Sequence, residues 1–200
     1  MLASPAQSIV SDEALAECAR RGSPRAFDAL VSRYQARVFR LAMRMSRNAS
    51  DAEEITQETF LHAHSGMGSF QAASQFGTWL YRIAINEALM RKRAATRRPT
   101  RSLDALEAAE TLVQHRSIDG EPPGSNPVPL ADDLLERKQL ALRVRDAMNR
   151  LDVDTRAALV LRDLEELSAE QASEILGISA DAVRQRAHRG RLKLRDILYR

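Results

Sequence analysis

Cysteine, aromatic residues and unbroken apolar stretches are all scarce in this chain of 200 residues, and each scarcity closes off a class of protein. Cys18 stands alone, so neither an intramolecular disulfide nor a thiolate cluster can form. It is expected to pack in a helix rather than to react. No apolar stretch approaches the roughly 20 residues needed to cross a bilayer. The N-terminus also lacks the charged leader and apolar core of a secretory signal. A cytoplasmic protein that is not itself a membrane protein is expected. Strand-like alternation is almost absent. No glycine-rich phosphate loop follows a strand, and no nucleophile elbow occurs. His62 and His64, two apart, point away from each other on a helix. The expectation is therefore an all-α protein that is not an enzyme, with no metal, cofactor or small-molecule substrate.

Charge, by contrast, is plentiful and sorted. The formal net charge is only +3, yet the pI is near 9.4. Arg91 to Arg101 holds six basic residues and no acid, and Arg184 to Arg195 holds six more, again without an acid. Asp104 to Glu136 is mainly acidic. Such segregation points to two separate contacts with a polyanion. Between the two basic blocks, Pro122, Pro123, Gly124, Ser125, Asn126, Pro127 and Pro129 crowd together and discourage any regular element. Residues 98–130 thus read as a flexible acidic linker, with a helical turn near Leu103–Leu112. The linker joins two small helical domains, 1–97 and 131–200, and leaves their arrangement open.

Within the first domain, Phe27, Leu30, Val31, Tyr34, Val38, Leu41, Ala42 and Met45 recur on one wide helical face over 25–46. Ser50 and Glu53 have capping-box spacing and predict a helix to about His64, broken by Gly66 and Gly68. A polar loop from Ser69 to Gln75 leads into a long helix over about Phe76–Ala95. In the second domain, helices are predicted from Ala131 to Met148 and from Thr155 to Leu164.

The last thirty-odd residues are the most informative. Ser168 and Gln171 have capping-box spacing, Ala172, Ile175 and Leu176 face inward, and Gly177 tolerates positive φ at the helix end. Ser179 can cap a second helix, on which Val183, Ala187, Gly190, Leu194 and Ile197 form one apolar stripe. This is a helix-turn-helix pattern. The outer face of its second helix carries Arg184, Gln185, His188, Arg189 and Arg191, which suits phosphates and base edges in a major groove.

Two faces in the first domain also carry chemistry. Arg82, Asn86, Arg93 and Arg97 share one side of the long helix, where they can follow a phosphate backbone while Asn86 reads a base edge. Phe70, Phe76, Trp79 and Tyr81 gather beside it, the kind of surface on which unpaired bases stack. Phe76 and Trp79 read as core, which leaves the Ser69–Gln75 loop, with Ser74 and Gln75, as the place for a pocket. On the preceding helix, Glu53, Glu54, Gln57 and Glu58 form an acidic face. It would repel DNA and suits a basic protein surface.

Three ordered segments resemble the bacterial sigma factors of the extracytoplasmic-function (ECF) type, group IV of the sigma-70 family. Asp51 to Phe60 is similar to that family's polymerase-binding helix, and Thr78 to Ala84 with Asn86 is similar to its promoter-melting helix. Leu161-Arg162-Asp163-Leu164, Leu167-Ser168, Leu176-Gly177-Ile178, Val183-Arg184, Arg186 and Arg189 resemble its second DNA-binding domain, sigma region 4. The resemblance implies that Asp51, Glu53, Glu54, Gln57 and Glu58 bind core RNA polymerase. It implies that Arg82, Asn86, Arg93, Ser74 and Gln75 serve capture and melting of the −10 element, and that the C-terminal arginine face docks on the −35 element of promoter DNA. It further implies that the acidic linker threads polymerase channels, and that an anti-sigma factor, often membrane-anchored, holds the protein inactive. The chain departs from the family where Phe70 is followed by Gln71, Ala72 and Ala73 in place of a basic residue, glycine and a carboxylate. Met90 stands where an Asp is frequent, and Gln185 and His188 are less common at the recognition positions. Two other readings stay open on the residues alone. One is an operator-binding regulator that recognises a palindromic site without polymerase. The other is a nucleic-acid enzyme, for which no nucleophile or carboxylate cluster is found.

Overall fold

The structure, a computed structural model, describes residues 10–46, 48–71, 75–97 and 131–199, without the side chains of 94–97 and 131–138. The 98–130 linker, its expected helical turn, and Ser74 lie outside the described residues. All regular structure among the described residues is helical, as the pattern predicts.

Helix α1 (Asp12–Arg20) carries Cys18, which was expected on a helix, although the sequence pattern set no bounds for that helix. Ser11 caps it by accepting from the Ala14 amide at 3.2 Å, and Asp12 and Glu13 suit the positive end of its dipole. Cys18 lies on this helix but is exposed rather than packed, because Ala16 and Ala19 supply the inward positions. Helix α2 (Pro24–Met45) starts with Ser23 as cap and Pro24 at its first turn, where a missing N–H costs nothing. Its buried stripe of Leu30, Tyr34, Val38, Leu41, Ala42 and Met45 is the predicted one, while Phe27 and Val31 are half-buried.

Helix α3 (Ala49–Gly66) begins earlier than expected. Its cap is Asn48, whose Oδ1 accepts from the Asp51 amide at 2.7 Å, so Ser50 sits inside the first turn and the Ser50–Glu53 box does not form. A 3-10 turn (Met67–Ser69) follows, and then α4 (Phe76–Arg97). Beyond the linker come α5 (Ala131–Asn149) and α6 (Val153–Leu159), the latter capped by Asp152 and running into a π turn (Val160–Leu164). Helices α7 (Ala169–Leu176) and α8 (Ala180–Leu198) complete the chain.

Helix α2 packs against α1, α3 and α4, and α8 packs against α5, α6 and α7. The two groups are not held apart. Helix α4 lies on α7, and α2 meets α6 and the π turn, so one apolar core runs through both. Arg156 is wholly buried at this junction. It donates to the Met45 carbonyl at 3.2 Å, to Asn149 Oδ1 at 3.0 Å and to the Leu151 carbonyl at 3.4 Å. A buried guanidinium needs such acceptors to offset its desolvation.

Candidate nucleic-acid and protein interfaces

The helix-turn-helix forms as its sequence dictates. Ser168 Oγ accepts from the Gln171 amide at 3.1 Å while Gln171 Oε1 accepts from the Ser168 amide at 2.9 Å, which closes the capping box. Gly177 ends α7 at φ 64°, a left-handed conformation that favours glycine. Ser179 then caps α8 through the Ala182 amide at 3.2 Å. Val183, Ala187 and Gly190 are buried against the domain, with Leu194 and Ile197 partly covered. Gly190 is where α8 closes on α6: a Cβ there would stand 3.1 Å from Thr155 Cγ2 and 3.3 Å from Leu159 Cδ1.

Registration of that inner face leaves Arg184, Gln185, His188, Arg189 and Arg191 exposed on the outer one, with Arg186 half-buried. The basic block has no acid of its own, but the first turn of α8 and neighbouring elements bring acids to it. Arg184 pairs with Asp181 at 2.6 Å and with Glu170 of α7 at 2.7 Å. Arg191 grips Asp163 of the π turn with two bonds of 2.7 and 2.8 Å, and that carboxylate raises the pKa of its guanidinium. Arg191 therefore fastens α8 to its own domain in this arrangement. Gln185, His188 and Arg189 have exposed side chains on the same face, and Arg189 reaches back only to the Gln185 carbonyl at 3.4 Å.

On α4, Arg82, Asn86 and Arg93 are all exposed and share the face that the spacing predicts. Gln75, just before the helix, is exposed too and accepts from Gln171 of α7 at 3.5 Å. The aromatic residues, however, do not line this face. Phe70, Phe76 and Trp79 stack on one another with ring centroids 5.0–5.9 Å apart, and Tyr34 meets Phe76 edge-on at 5.4 Å. Phe70 and Phe76 are buried, so they brace the loop instead of accepting bases. Tyr81 is buried as well and points its hydroxyl toward the C-terminal unit, at 3.0 Å from Glu165.

The acidic face of α3 is present as expected. Ala52, Ile55, Thr59 and Ala63 turn inward, which leaves Glu53, Glu54, Gln57 and Glu58 exposed. Asp51 is half-buried, and Arg91 of α4 reaches both it, at 3.2 Å, and Glu54. Sequence reasoning placed Arg91 only in the basic block and missed its pairing with this acidic face, and it missed Leu61, which is 53% exposed one turn beyond Gln57 and Glu58. An apolar residue out of register with the Ala52–Ile55–Thr59–Ala63 stripe was the available signal. Among the described residues no cluster suited to a metal ion occurs, and no helix is long and apolar enough to cross a membrane.

Comparison with known proteins agrees with this layout. The family described as Sigma-70 region 2 matches residues 30–98, and the family described as Sigma-70, region 4 matches residues 141–194. The RNA polymerase sigma-H factor of Pseudomonas aeruginosa is 36% identical over 181 residues, 90% of each chain. The ECF RNA polymerase sigma-E factor of Haemophilus influenzae is 36% identical, covering 91% of this chain and 92% of that protein. SigW, an ECF RNA polymerase sigma factor of Bacillus subtilis, is 34% identical over 90% of this chain and 92% of its own. In fold, the chain is similar to CnrH from its complex with the cytosolic domain of CnrY, with a TM-score of 0.66 at 24% identity, covering 94% of this chain and 96% of that one. The chain belongs to the extracytoplasmic-function RNA polymerase sigma factors of the sigma-70 family, the subunits that give bacterial RNA polymerase its promoters.

Proposed function

We propose that this sigma factor engages core polymerase through α3 and promoter DNA through α4 and α8. The observation that carries the reading is the co-occurrence of three exposed faces of the right chemistry: acidic on α3, arginine-flanked Asn86 on α4, and basic on α8. On this reading residues 1–97 work as region 2, 98–130 as the linker and 131–200 as region 4. Glu53, Glu54, Gln57 and Glu58, with Asp51 held by Arg91, meet a basic polymerase surface, where complementary charge sets orientation and association rate. Leu61 adds apolar contact to that patch.

Arg184, Gln185, His188 and Arg189 read the −35 element in the major groove. Arg184 does so once DNA phosphates replace its two carboxylate partners. Arg82 and Arg93 hold the backbone at the −10 element while Asn86 and the Ser74–Gln75 end of the loop take an unstacked base. Extrusion costs a few kcal/mol, so a pocket that offsets this cost contributes both melting and sequence choice. Because Phe70, Phe76 and Trp79 are committed to packing, capture rests on polar groups rather than on an aromatic platform. The protein acts in the cytoplasm and has no catalytic step of its own. An anti-sigma factor restrains it. One relative in fold, RpoE of Bartonella quintana, was solved with the anti-sigma factor NepR.

The test is transcription by purified core polymerase on a library of the host's promoters. Transcripts that start at defined sites only when this chain is added support the reading. An operator-binding regulator would instead shift a palindromic duplex without polymerase and stimulate no start.

A further inference from the structure

Arg33, Arg37, Arg40 and Arg44 follow one another along α2 at spacings of four, three and four, so they lie on one face of the helix. At one end Arg33 pairs with Asp12 at 2.5 Å, and the Arg37 guanidinium stands 5.9 Å from the centroid of the Tyr34 ring. At the other end the face is covered by the C-terminal unit. Glu165, which follows the π turn, pairs with Arg44, accepts from the Tyr81 hydroxyl at 3.0 Å and feels the charge of Arg40. Its side chain keeps only 10% of its exposure.

The Arg44 guanidinium and the Tyr81 phenol thus converge on one carboxylate, with Arg40 one turn away on α2 adding its charge. Guanidinium groups only donate, and here the phenol donates too, so the set suits an oxyanion of any shape. Burial pushes the Glu165 carboxyl above its usual range despite the arginines, so the ionised side chain is held against a desolvation cost. Tyr81 also precedes Arg82, so the two side chains leave α4 about 100° apart, one buried at the junction and the other on the exposed basic face.

Promoter geometry demands that this junction open. Helix α4 touches α7 and α7 touches α8. With helix spacings of 8–10 Å, the α4 and α8 faces stand about 20 Å apart. Elements at −10 and −35 are about 25 base pairs, or about 85 Å, apart along the duplex. Residues 98–130, if fully extended, would span about 110 Å, which is long enough to permit the separation.

Resting on the promoter reading above, we propose that Arg40, Arg44 and Tyr81 form a phosphate site for a promoter DNA strand, occupied by Glu165 while the C-terminal helices are docked. Separation of the two units exchanges a protein carboxylate for a nucleic-acid phosphate. The undocked factor gains a strand contact that the docked factor withholds.

The experiment uses the full chain, no polymerase, and a labelled 20-nucleotide single strand of mixed sequence, titrated by fluorescence anisotropy between 50 and 200 mM salt. Glu165→Gln, which keeps shape and removes charge, tightens binding about threefold or more. It also steepens the slope of log K against log salt by about 0.7, the value for one added single-strand phosphate contact. Adding Arg44→Ala, or separately Tyr81→Phe, to Glu165→Gln removes that gain. Wild-type affinity and slope in Glu165→Gln overturn the proposal, as does a gain that survives both second substitutions. Neither promoter nor polymerase enters this assay. Failure of core-dependent transcription therefore removes the promoter reading and the promoter strand as occupant, whereas failure of this titration removes the phosphate site alone.

Discussion

Asn86 lies exposed on α4 between Arg82 and Arg93 with no packing role, so its replacement reports on DNA alone. Asn86→Ala is expected to change stability by no more than about 0.5 kcal/mol. It should leave core affinity intact and reduce promoter opening, read as permanganate reactivity of −10 thymines. Glu54→Lys reverses a charge on the α3 face and sets it against Arg91, so it should weaken core association, read by co-elution at low salt. Arg184→Ala should lower duplex affinity and flatten its salt dependence by about one phosphate contact. The loss is partly masked because wild-type Arg184 must first leave Asp181 and Glu170. These residues were legible in the sequence because side chains on an exposed helical face follow from periodicity alone. Their ion-pair partners were not. Asp163 approaches Arg191 from 28 residues away, a distance that no spacing rule covers.

At the scale of elements, the α7–α8 motif was the most readable part of the chain. A capping box, a glycine at positive φ and a serine cap each act over no more than four residues, so local chemistry suffices to place them. Ser168→Ala should cost about 0.5–2 kcal/mol, measured by denaturant unfolding. Gly190→Val should cost about 1–3 kcal/mol by overpacking, since the added side chain meets Thr155 and Leu159. The start of α3 misled for a physical reason. Ser50 and Asn48 are both good caps, and the choice went to Asn48, which is buried and whose backbone carbonyl accepts from Ser46 Oγ at 3.1 Å. Phe76 and Trp79 pack inward as their core reading expects, whereas Phe70 and Tyr81, which the sequence leaves beside the basic face, prove to be buried as well.

The docking of the two units was invisible in the sequence. Its contacts join residues 84 to 121 apart, namely Tyr81 with Glu165, Arg156 with the Met45 carbonyl, and Arg44 with Glu165. None belongs to a periodic pattern. For the molecule as a whole, the most direct test is run-off transcription with purified core polymerase and a promoter library, with this chain as the only added factor. The account predicts new transcripts from a small set of shared promoter sequences, weakened by Asn86→Ala and by Glu54→Lys through opening and core binding respectively. Transcription that is the same with and without the chain would contradict it.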